Sequence, residues 1–435
     1  MNKTDTKQIA EFGIIWNSED FKPDIPTDSF SEIFLDNRSF QSLKNFTTEN
    51  NGADPIFSFQ RKKGKELIQV KNHVGIIETR QGTVIEILPK IFRGNDTDEV
   101  SEAAYSKSVL LQMLRTLRDS PFRSIDHAHL HTTRMPLLEI FITVFLDEMD
   151  KLVKRGIKHF YSTQTENLPF LKGKLQFSEN IKHNTAHRER FFVQYDEFKT
   201  DIPQNRILKA ALVCLKNKSH SPKNINLING YIQLFDEIGN CTNLQDDFRQ
   251  INGHNRMFSH YDRSLSWAKV FLLGESFTSY KGKQLNAAIL FPMEVLFESF
   301  VACKLKQQYP KWKITAQDRK HHLVTDLNSG IEKRFRIRPD LVIETESGTI
   351  VADTKWKIID ENNSRDNYQI SQADMYQLFA YGKKYEIKWL MLIYPTCATF
   401  QSELKFSYEE GLELVCCPWN FREESYFELL QKMKY

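Results

Sequence analysis

Two apolar runs joined by a polar turn constrain the fold of this chain most strongly. The segment FRIRPDLVIETESGTIVADTKWK, residues 335–357, places the apolar runs 341–343 and 350–352 on either side of a turn at 346–348. Near-continuous apolar runs of this length are typical of strands that are buried on both faces of a sheet. We therefore expect a hairpin at the centre of a sheet, and this hairpin must be built around several charged residues.

Three charged side chains interrupt these strands: Asp340, Asp353 and Lys355. Residues two apart on a strand share a face, so Asp353 and Lys355 point the same way. A tight turn places Asp340 opposite the residue between them, and directly opposed side chains on a hairpin have Cβ atoms about 5 Å apart. We therefore expect two carboxylates and an amine on one patch of a buried sheet, where unpaired charge is costly.

This trio predicts phosphodiester hydrolysis. Two carboxylates so close raise each other's pKa unless a cation lies between them. Mg²⁺ is the natural ion, with Mn²⁺ as a possible substitute, because it takes oxygen ligands from one or two carboxylates and leaves positions for water and phosphate oxygens. A lysine beside such an ion can orient or help deprotonate the attacking water, or neutralise charge on the phosphate. A surface ion pair across a hairpin is the alternative explanation of the same three residues.

Two predicted helices offer further candidates. On the helix predicted over 293–307, Glu294 and Glu298 lie four residues apart on one face, and Glu298 could be a third metal ligand. On the helix predicted over 371–384, Gln377 and Tyr381 are spaced in the same way and could steady the lysine or contact phosphate. Each pair taken alone is also explained by an ordinary solvated helix face.

The predicted elements indicate an α/β protein, α+β when the whole chain is considered. The last part has the order helix 293–307, strands 312–318, 334–345 and 349–357, helix 371–384 and strand 388–395, which is typical of a mixed central sheet flanked by helices. Upstream, residues 66–91 predict a hairpin around 80–82 in a small β-domain. Helices are then predicted at 103–118 and 135–154, strand-like segments at 157–163 and 168–177, and helices near 204–217, 225–237 and 262–279.

The order of these motifs resembles a known superfamily. A helix glutamate, Pro339-Asp340, Asp353-x-Lys355 and Gln377-x-x-x-Tyr381 follow one another as in the PD-(D/E)xK nucleases, over roughly residues 290–395. The segments VGIIETRQGTVIEILPKI, LKGKLQF, QYDEFKTDIPQNRILKAAL, FPMEVLFESFV and QADMYQLFAYGKKY are also similar to motifs of McrC, the nuclease subunit of McrBC modification-dependent restriction systems. That wider resemblance covers roughly residues 66–395.

The resemblance implies a division of labour along the chain. A β-rich and helical region at 1–155 would serve partner binding, residues 156–285 would form a mostly helical middle region, and residues 286–435 would form the PD-(D/E)xK endonuclease. The implied partners are an McrB-like AAA+ GTPase oligomer and double-stranded DNA. The implied catalytic positions are Asp340, Asp353 and Lys355, joined by Glu298, Gln377 and Tyr381. Residues in matching motifs that the resemblance places near the partner are Lys172, Lys174, Arg188, Arg190, Asp201, Asn205 and Arg206.

Composition adds limits rather than a function. The 59 lysines and arginines against 56 acids leave a net charge of +3, so any DNA-binding surface must be local. The sequence has no G-x-x-x-x-G-K-[ST] phosphate loop, so we expect no nucleotide on this chain and assign any nucleotide-driven step to another protein. An N-terminus without an apolar signal region and the absence of a long apolar helix predict a cytoplasmic protein without a membrane span.

Three other interpretations remain open on the sequence. The chain could be a self-sufficient restriction or repair nuclease, or a non-enzymatic regulator that stimulates an AAA+ motor through an idle nuclease fold. The alternating His127, His129 and His131 could form a metal-binding face on a strand, although only Asp126 stands beside them as an acidic partner.

Overall fold

The computed structural model describes two compact units, one of which is formed from both ends of the chain. The described residues are 6–50, 52, 55–91, 99–118, 120–125, 135–251, 256–273, 285–328, 332–408, 411–422, 427, 429 and 430. The first unit comprises Met1–Pro136 with Ser276–Tyr435, and the second comprises Leu137–Glu275. The histidine run at 126–131 lies outside the described residues. Within the described residues, no helix is both long enough and apolar enough to cross a membrane.

Nineteen strands and ten α-helices are described. In the N-terminal part they are β1 (Thr6–Ala10), β2 (Ile14–Asn17), β3 (Glu32–Leu35), α1 (Asn37–Glu49), β4 (Phe57–Lys62), β5 (Lys65–Val70), β6 (His73–Thr79), β7 (Val84–Leu88) and α2 (Glu99–Thr116). In the middle they are α3 (Leu137–Arg155), β8 (Phe160–Leu168), β9 (Lys174–Leu175), α4 (Phe177–Asn184), β10 (Phe191–Lys199), α5 (Pro203–Lys216), α6 (Pro222–Leu234), α7 (Leu244–Gln250) and α8 (Asp262–Leu273). In the C-terminal part they are β11 (Leu285–Pro292), α9 (Met293–Gln308), β12 (Lys313–Ala316), β13 (His322–Asp326), β14 (Glu332–Arg336), β15 (Leu341–Thr345), β16 (Gly348–Thr354), α10 (Gln372–Tyr385), β17 (Trp389–Pro395), β18 (Leu404–Ser407) and β19 (Glu413–Trp419).

Two four-stranded sheets form the N-terminal part of the first unit. Their strand orders are β1-β7-β6-β11 and β3-β2-β5-β4. The hairpin predicted around 80–82 is confirmed, since β6 and β7 pair antiparallel with Ile77 opposite Ile85. The same predicted stretch begins with β5, which belongs to the other sheet. The first 60 residues, weakly patterned in sequence, contribute three strands and helix α1 before β4 begins.

A six-stranded mixed sheet, ordered β12-β15-β16-β17-β19-β18, forms the C-terminal part of the first unit. The predicted central hairpin is β15–β16, an antiparallel pair with Ile343 opposite Ile350. Its apolar runs are buried, and β16 then pairs parallel with β17. Helix α10 packs on this sheet through Leu378 and Tyr381. The mixed α/β class that the sequence predicted is thus confirmed.

One predicted strand is wrong in this region. The sequence predicted a continuous strand over 334–345, but the structure divides it into β14 and β15, which belong to different sheets. Pro339 lies between them and has no N–H to donate to a strand ladder. The chain therefore leaves the two-stranded β13–β14 ribbon and enters the six-stranded sheet just after this proline.

The second unit combines a three-stranded sheet, β8-β10-β9, with six described α-helices. The strand predicted at 168–177 is largely wrong, because within it only Leu168, the last residue of β8, and Lys174–Leu175 are in strands; the latter pair follows Gly173 with its φ of +71°. Strand β10 was not predicted. The buried carboxylate of Glu139 accepts hydrogen bonds from the Ser221 N–H and from the side chain of Asn224, at the start of α6.

Candidate active site

The predicted trio of charged residues meets at one edge of the six-stranded sheet. Leu341 pairs with Ala352, so Asp340, which precedes β15, lies beside the end of β16. Both the backbone N–H and the hydroxyl of Thr354 donate to Oδ2 of Asp340, each at 2.7 Å. Two donors on one oxygen fix the carboxylate, so the hairpin itself positions the first acid of the site.

Asp353 and Lys355 form a tight ion pair next to that carboxylate. Lys355 Nζ lies 2.5 Å from Oδ2 of Asp353, whose side chain is 2% exposed. The Lys355 backbone N–H donates to the Ile393 carbonyl at 2.9 Å, which continues the ladder between β16 and β17 for one residue beyond the strand. The lysine is therefore held at both its backbone and its side chain.

The carboxyl groups of this site raise one another's pKa. Burial raises the pKa of Asp340 to about 6, and the charge of Glu298 adds to this effect. Burial likewise raises the pKa of Asp353 to about 6, with the charge of Asp340 as the next cause. The pKa of Glu298 is also raised, mainly by burial, although hydrogen bonding from Gln317 opposes the shift. Three acids thus share a region that favours a cation between them.

Lys355 remains an ammonium group in this environment. Burial alone would lower its pKa, but the charges of Asp353, Asp374 and Asp340 outweigh burial and raise it. A lysine with a raised pKa is a poor proton acceptor at neutral pH. Its chemistry here is that of a fixed positive charge, which can orient or stabilise an anionic group.

Gln377 and Tyr381 connect helix α10 to the lysine. Lys355 Nζ donates to Oε1 of Gln377 at 3.2 Å, and Nε2 of Gln377 donates to the hydroxyl of Tyr381 at 2.7 Å. That hydroxyl donates in turn to the backbone carbonyl of Arg338 at 3.2 Å. Burial raises the pKa of Tyr381 to about 12, so the phenol stays protonated and can donate. The predicted pair therefore forms a relay of hydrogen bonds from Lys355 to the segment before Asp340.

The sequence analysis missed Asp374. Its side chain is buried, and its carboxylate oxygens lie 3.6 Å from Lys355 Nζ and 3.1 Å from Lys357 Nζ. Asp374, Gln377 and Tyr381 are spaced by three and four residues, so they share one face of α10. This spacing was visible in the sequence, but an acid in the first turn of a helix is so common that it gave no signal by itself.

The donor set fits a hard divalent cation. Among the described residues, no cluster of three or more histidine, cysteine, aspartate or glutamate side chains is already arranged to hold a metal ion. Asp340 and Asp353 nevertheless offer carboxylate oxygens that repel each other when both are charged, and Glu298 is close enough to affect their titration. Oxygen ligands of this kind suit Mg²⁺ or Mn²⁺ and leave positions for water and phosphate.

The second unit contains the residues that the resemblance places near a partner, and some of them are packed inside the unit while the others are exposed. Asn205 is buried and donates to the carbonyls of Lys158 and Thr200, and Arg206 pairs with Asp247 at 2.6 Å. Both side chains therefore bond to residues within the second unit itself. The remaining residues lie at or near the surface: Lys172, Lys174, Arg188, Arg190 and Asp201.

Comparisons with known proteins give one family and one fold. The family model described as "McrBC 5-methylcytosine restriction system component" matches residues 68–395. A chain in the refined half-complex from a tetradecameric assembly of Thermococcus gammatolerans McrB AAA+ hexamers with bound McrC is similar, with a TM-score of 0.66, 18% identity and 98% of each chain covered. A chain in the cryo-EM structure of the Thermococcus gammatolerans McrBC complex has a TM-score of 0.46 and 19% identity, over 68% of this chain and 85% of that one. No curated protein matches the chain.

Proposed function

The chain belongs to the McrBC family of 5-methylcytosine restriction system components, and from this premise we propose that it is the DNA-cutting subunit of such a system. Its C-terminal part would be a PD-(D/E)xK endonuclease that hydrolyses double-stranded DNA with Mg²⁺. The observation that carries the proposal is the meeting of Asp340, Asp353 and Lys355 at one sheet edge, where burial raises the pKa of both carboxyl groups.

In this proposal the side chains of the chain divide the work of phosphodiester hydrolysis. Asp340 and Asp353, with Glu298 as the third carboxylate, would hold the divalent ion, which would supply positive charge to stabilise the negative charge that develops on the phosphate. Lys355 contributes a second positive charge and orients the attacking water. The water oxygen would form a new bond to phosphorus as the bond to the leaving oxygen breaks in line with it; one water proton would be released to solvent, and the leaving oxygen would take a proton from solvent to become a hydroxyl group.

Gln377 and Tyr381 would act as positioning residues in this reaction. Their hydrogen bonds hold the ammonium group of Lys355 in one place, while Asp353 and Asp374 keep it charged. An ammonium group that is already in position need not be reorganised as negative charge develops on the phosphate.

We also propose an McrB-like AAA+ GTPase oligomer as the partner. The similar solved chain belongs to an assembly described as McrB AAA+ hexamers with bound McrC. The sequence of this chain lacks a phosphate loop of its own, which supports a nucleotide-hydrolysing partner. Exposed basic residues of the second unit, such as Lys174 and Arg188, are candidates for that contact.

The first prediction concerns Asp353→Ala. We expect it to lower the rate of Mg²⁺-dependent cutting of methylated duplex DNA, with the partner and GTP present, by at least about a hundredfold, because it removes a carboxylate on which the ion and Lys355 both depend. Asp366→Ala is the matched control, since Asp366 is an exposed acid. Cutting is measured on gels, and co-purification with the partner tests whether the complex still forms.

Unchanged cutting by Asp353→Ala would remove the site assignment. Loss of partner binding together with cutting would mean that the substitution damaged the fold instead. Cutting by the wild-type chain without any partner or GTP would favour a self-sufficient nuclease over the McrB-dependent one.

A further inference from the structure

An isolated two-stranded ribbon stands next to the candidate active site. Strands β13 and β14 pair antiparallel, with Val324 opposite Arg334 and Asp326 opposite Glu332, and the described residues give this sheet no third strand. Every residue of β14 is exposed, as are the three central residues of β13. A lone hairpin is marginally stable in water. A ribbon that is separate from the main sheet therefore suggests a functional role.

Both strands of the ribbon are tied to the catalytic edge of the six-stranded sheet. The chain enters from β12, whose last residue Ala316 pairs with Leu341, and Gln317 N–H donates to the Asp340 carbonyl at 2.8 Å. It leaves through Arg336, four residues before Asp340, a distance of at most about 14 Å even for a fully extended chain. The ribbon therefore begins and ends beside the proposed metal ligands.

The base of the ribbon is braced against helix α10. The hydroxyl of Tyr385 donates to Oδ2 of Asp318 at 2.8 Å, and the ring of His321 packs on the ring of Tyr385 with centroids 4.3 Å apart. The Ile337 N–H donates to the His321 carbonyl at 3.1 Å, which closes the base of the hairpin. Helix α10 also carries Gln377, so one helix holds both the ribbon and the catalytic lysine.

The ribbon is cationic although the whole chain is almost neutral. Residues 319–338 contain six lysines and arginines against two acids. Both acids, Asp326 and Glu332, pair with the same side chain, that of Arg334. Lys333 and Arg336 are exposed on β14, where Arg336 Nε also donates to Nε2 of His322 at 3.4 Å. A local positive surface of this kind attracts phosphates.

An exposed aromatic residue interrupts the ribbon between these cations. Phe335 is 74% exposed and has a φ of +55°, a conformation that is uncommon for a residue with a bulky side chain. Contact with water does not stabilise an exposed phenylalanine ring or a positive φ at this residue. Backbone conformations of this uncommon kind cluster at ligand-binding positions.

We propose that the β13–β14 ribbon is a DNA-binding arm, which lies along a groove of the duplex and grips its phosphate backbone beside the scissile phosphate. A two-stranded ribbon fits the major groove of B-DNA, and its exposed lysine and arginine side chains are of the type that contacts phosphates. The inference deepens the proposed function, because it names the element that places DNA over Asp340 and Asp353. Because contacts to phosphates carry no sequence information, we expect the ribbon to bind duplexes of different sequence with similar affinity.

The second prediction tests the ribbon by binding rather than by cutting. In an Asp353→Ala background, which leaves the duplex uncut, the double substitution Lys333→Ala with Arg336→Ala should weaken binding of a fluorescent 30-base-pair duplex by at least about tenfold at low salt. The slope of log affinity against log salt concentration should become shallower by about 2, about one for each lost phosphate contact. Fluorescence anisotropy of the full-length chain measures both quantities.

The matched control is Lys311→Ala with Lys388→Ala. Both lysines are exposed, and both lie at the end of the sheet opposite to the candidate active site. Lys311 is two residues before Lys313, which pairs with Glu344, and Lys388 directly precedes Trp389, which pairs with Ile350. This variant removes the same charge and should keep most of the affinity. Equal losses in the two double variants would reduce the effect to net charge and overturn the proposal, and so would failure of the parent chain to bind the duplex.

Cutting by the ribbon variant with Asp353 intact separates this inference from the proposed function. In the presence of partner and GTP we expect a KM for DNA raised at least about tenfold with kcat changed less than about threefold, because the ribbon binds DNA and the acids perform the chemistry. An unchanged KM of the ribbon variant would overturn the DNA-binding role of the ribbon and would leave the nuclease assignment intact. If Asp353→Ala cuts DNA normally, the nuclease assignment falls while the anisotropy result still decides the ribbon.

Discussion

At the scale of single residues, the sequence predicted that three charged side chains lie close together, but it did not predict all the residues that fix their positions. Asp340, Asp353 and Lys355 could be brought together from strand alternation and one tight turn, because a hairpin register follows from local geometry. Asp374 and the Arg338 carbonyl could not be found in this way. They come from a helix and a loop whose positions depend on packing between distant parts of the chain.

The third prediction follows from the raised pKa of these acids. A folded-state pKa near 6 lies above the ordinary value near 4, so between these pH values the folded chain binds protons that the unfolded chain has released. Stability should therefore fall as pH rises through this window. Asp353→Asn removes one of the two charges, so without metal its free energy of unfolding should rise relative to wild type by about 1 to 3 kcal/mol between pH 4 and pH 7.

Urea denaturation in EDTA at several pH values measures this difference, with Asp366→Asn as the control. Millimolar Mg²⁺ or Mn²⁺ should then raise the melting temperature of the wild type at pH 8 and leave that of Asp353→Asn almost unchanged, since an ion that binds only the folded state stabilises it. Equal shifts in both proteins would mean that the ion binds elsewhere.

At the scale of elements, the sequence predicted strands and helices best where apolar residues are continuous or strictly periodic. The turn of the β15–β16 hairpin and helix α9 satisfy this condition, and the predicted end of β15, start of β16 and both ends of α9 lie within one residue of the observed ones. The edge strand β11 does not. Its pairing depends on β6, which is far away in the sequence, and no local pattern encodes that partner.

The fourth prediction concerns the close approach of β6 and β11 at Gly75. Its φ is +136°, and a Cβ atom there would lie 2.1 Å from the Ile289 carbonyl oxygen. Gly75→Ala should therefore lower the free energy of unfolding by at least about 3 kcal/mol, because the backbone of the pair must separate and the strained φ remains. Gly82 is the control. It also has a positive φ, +88°, but open space around it, so Gly82→Ala should cost only about 1 to 2 kcal/mol. Equal costs in denaturant titrations would show that conformation alone matters.

At the scale of the whole molecule, the first unit is built from the two ends of the chain, and the sequence could not indicate this. Glu11 and Trp356 are 345 residues apart, yet the indole N–H of Trp356 donates to both carboxyl oxygens of Glu11 at 2.9 Å. The Lys90 N–H donates to the same carboxyl group at 2.9 Å. Because Trp356 directly follows Lys355, a residue of the N-terminal segment helps to hold the strand end that carries Lys355.

The fifth prediction is that this contact makes stability depend on pH above neutrality. Burial raises the pKa of Glu11 to about 8, so the folded chain keeps a proton that the unfolded chain loses near pH 4.5. Stability from this group is complete below pH 4.5 and is lost as pH rises towards and through 8. Relative to Glu11→Gln, which cannot ionise, wild type should lose up to about 4 kcal/mol of unfolding free energy between pH 5 and pH 9. Glu346→Gln, in the exposed turn of the central hairpin, is the control and should follow the wild-type profile of stability against pH.

Parallel profiles for wild type and Glu11→Gln in urea titrations would mean that Glu11 is charged in the folded chain. The hydrogen bond from Trp356 would then be made to a carboxylate rather than to a neutral carboxyl group.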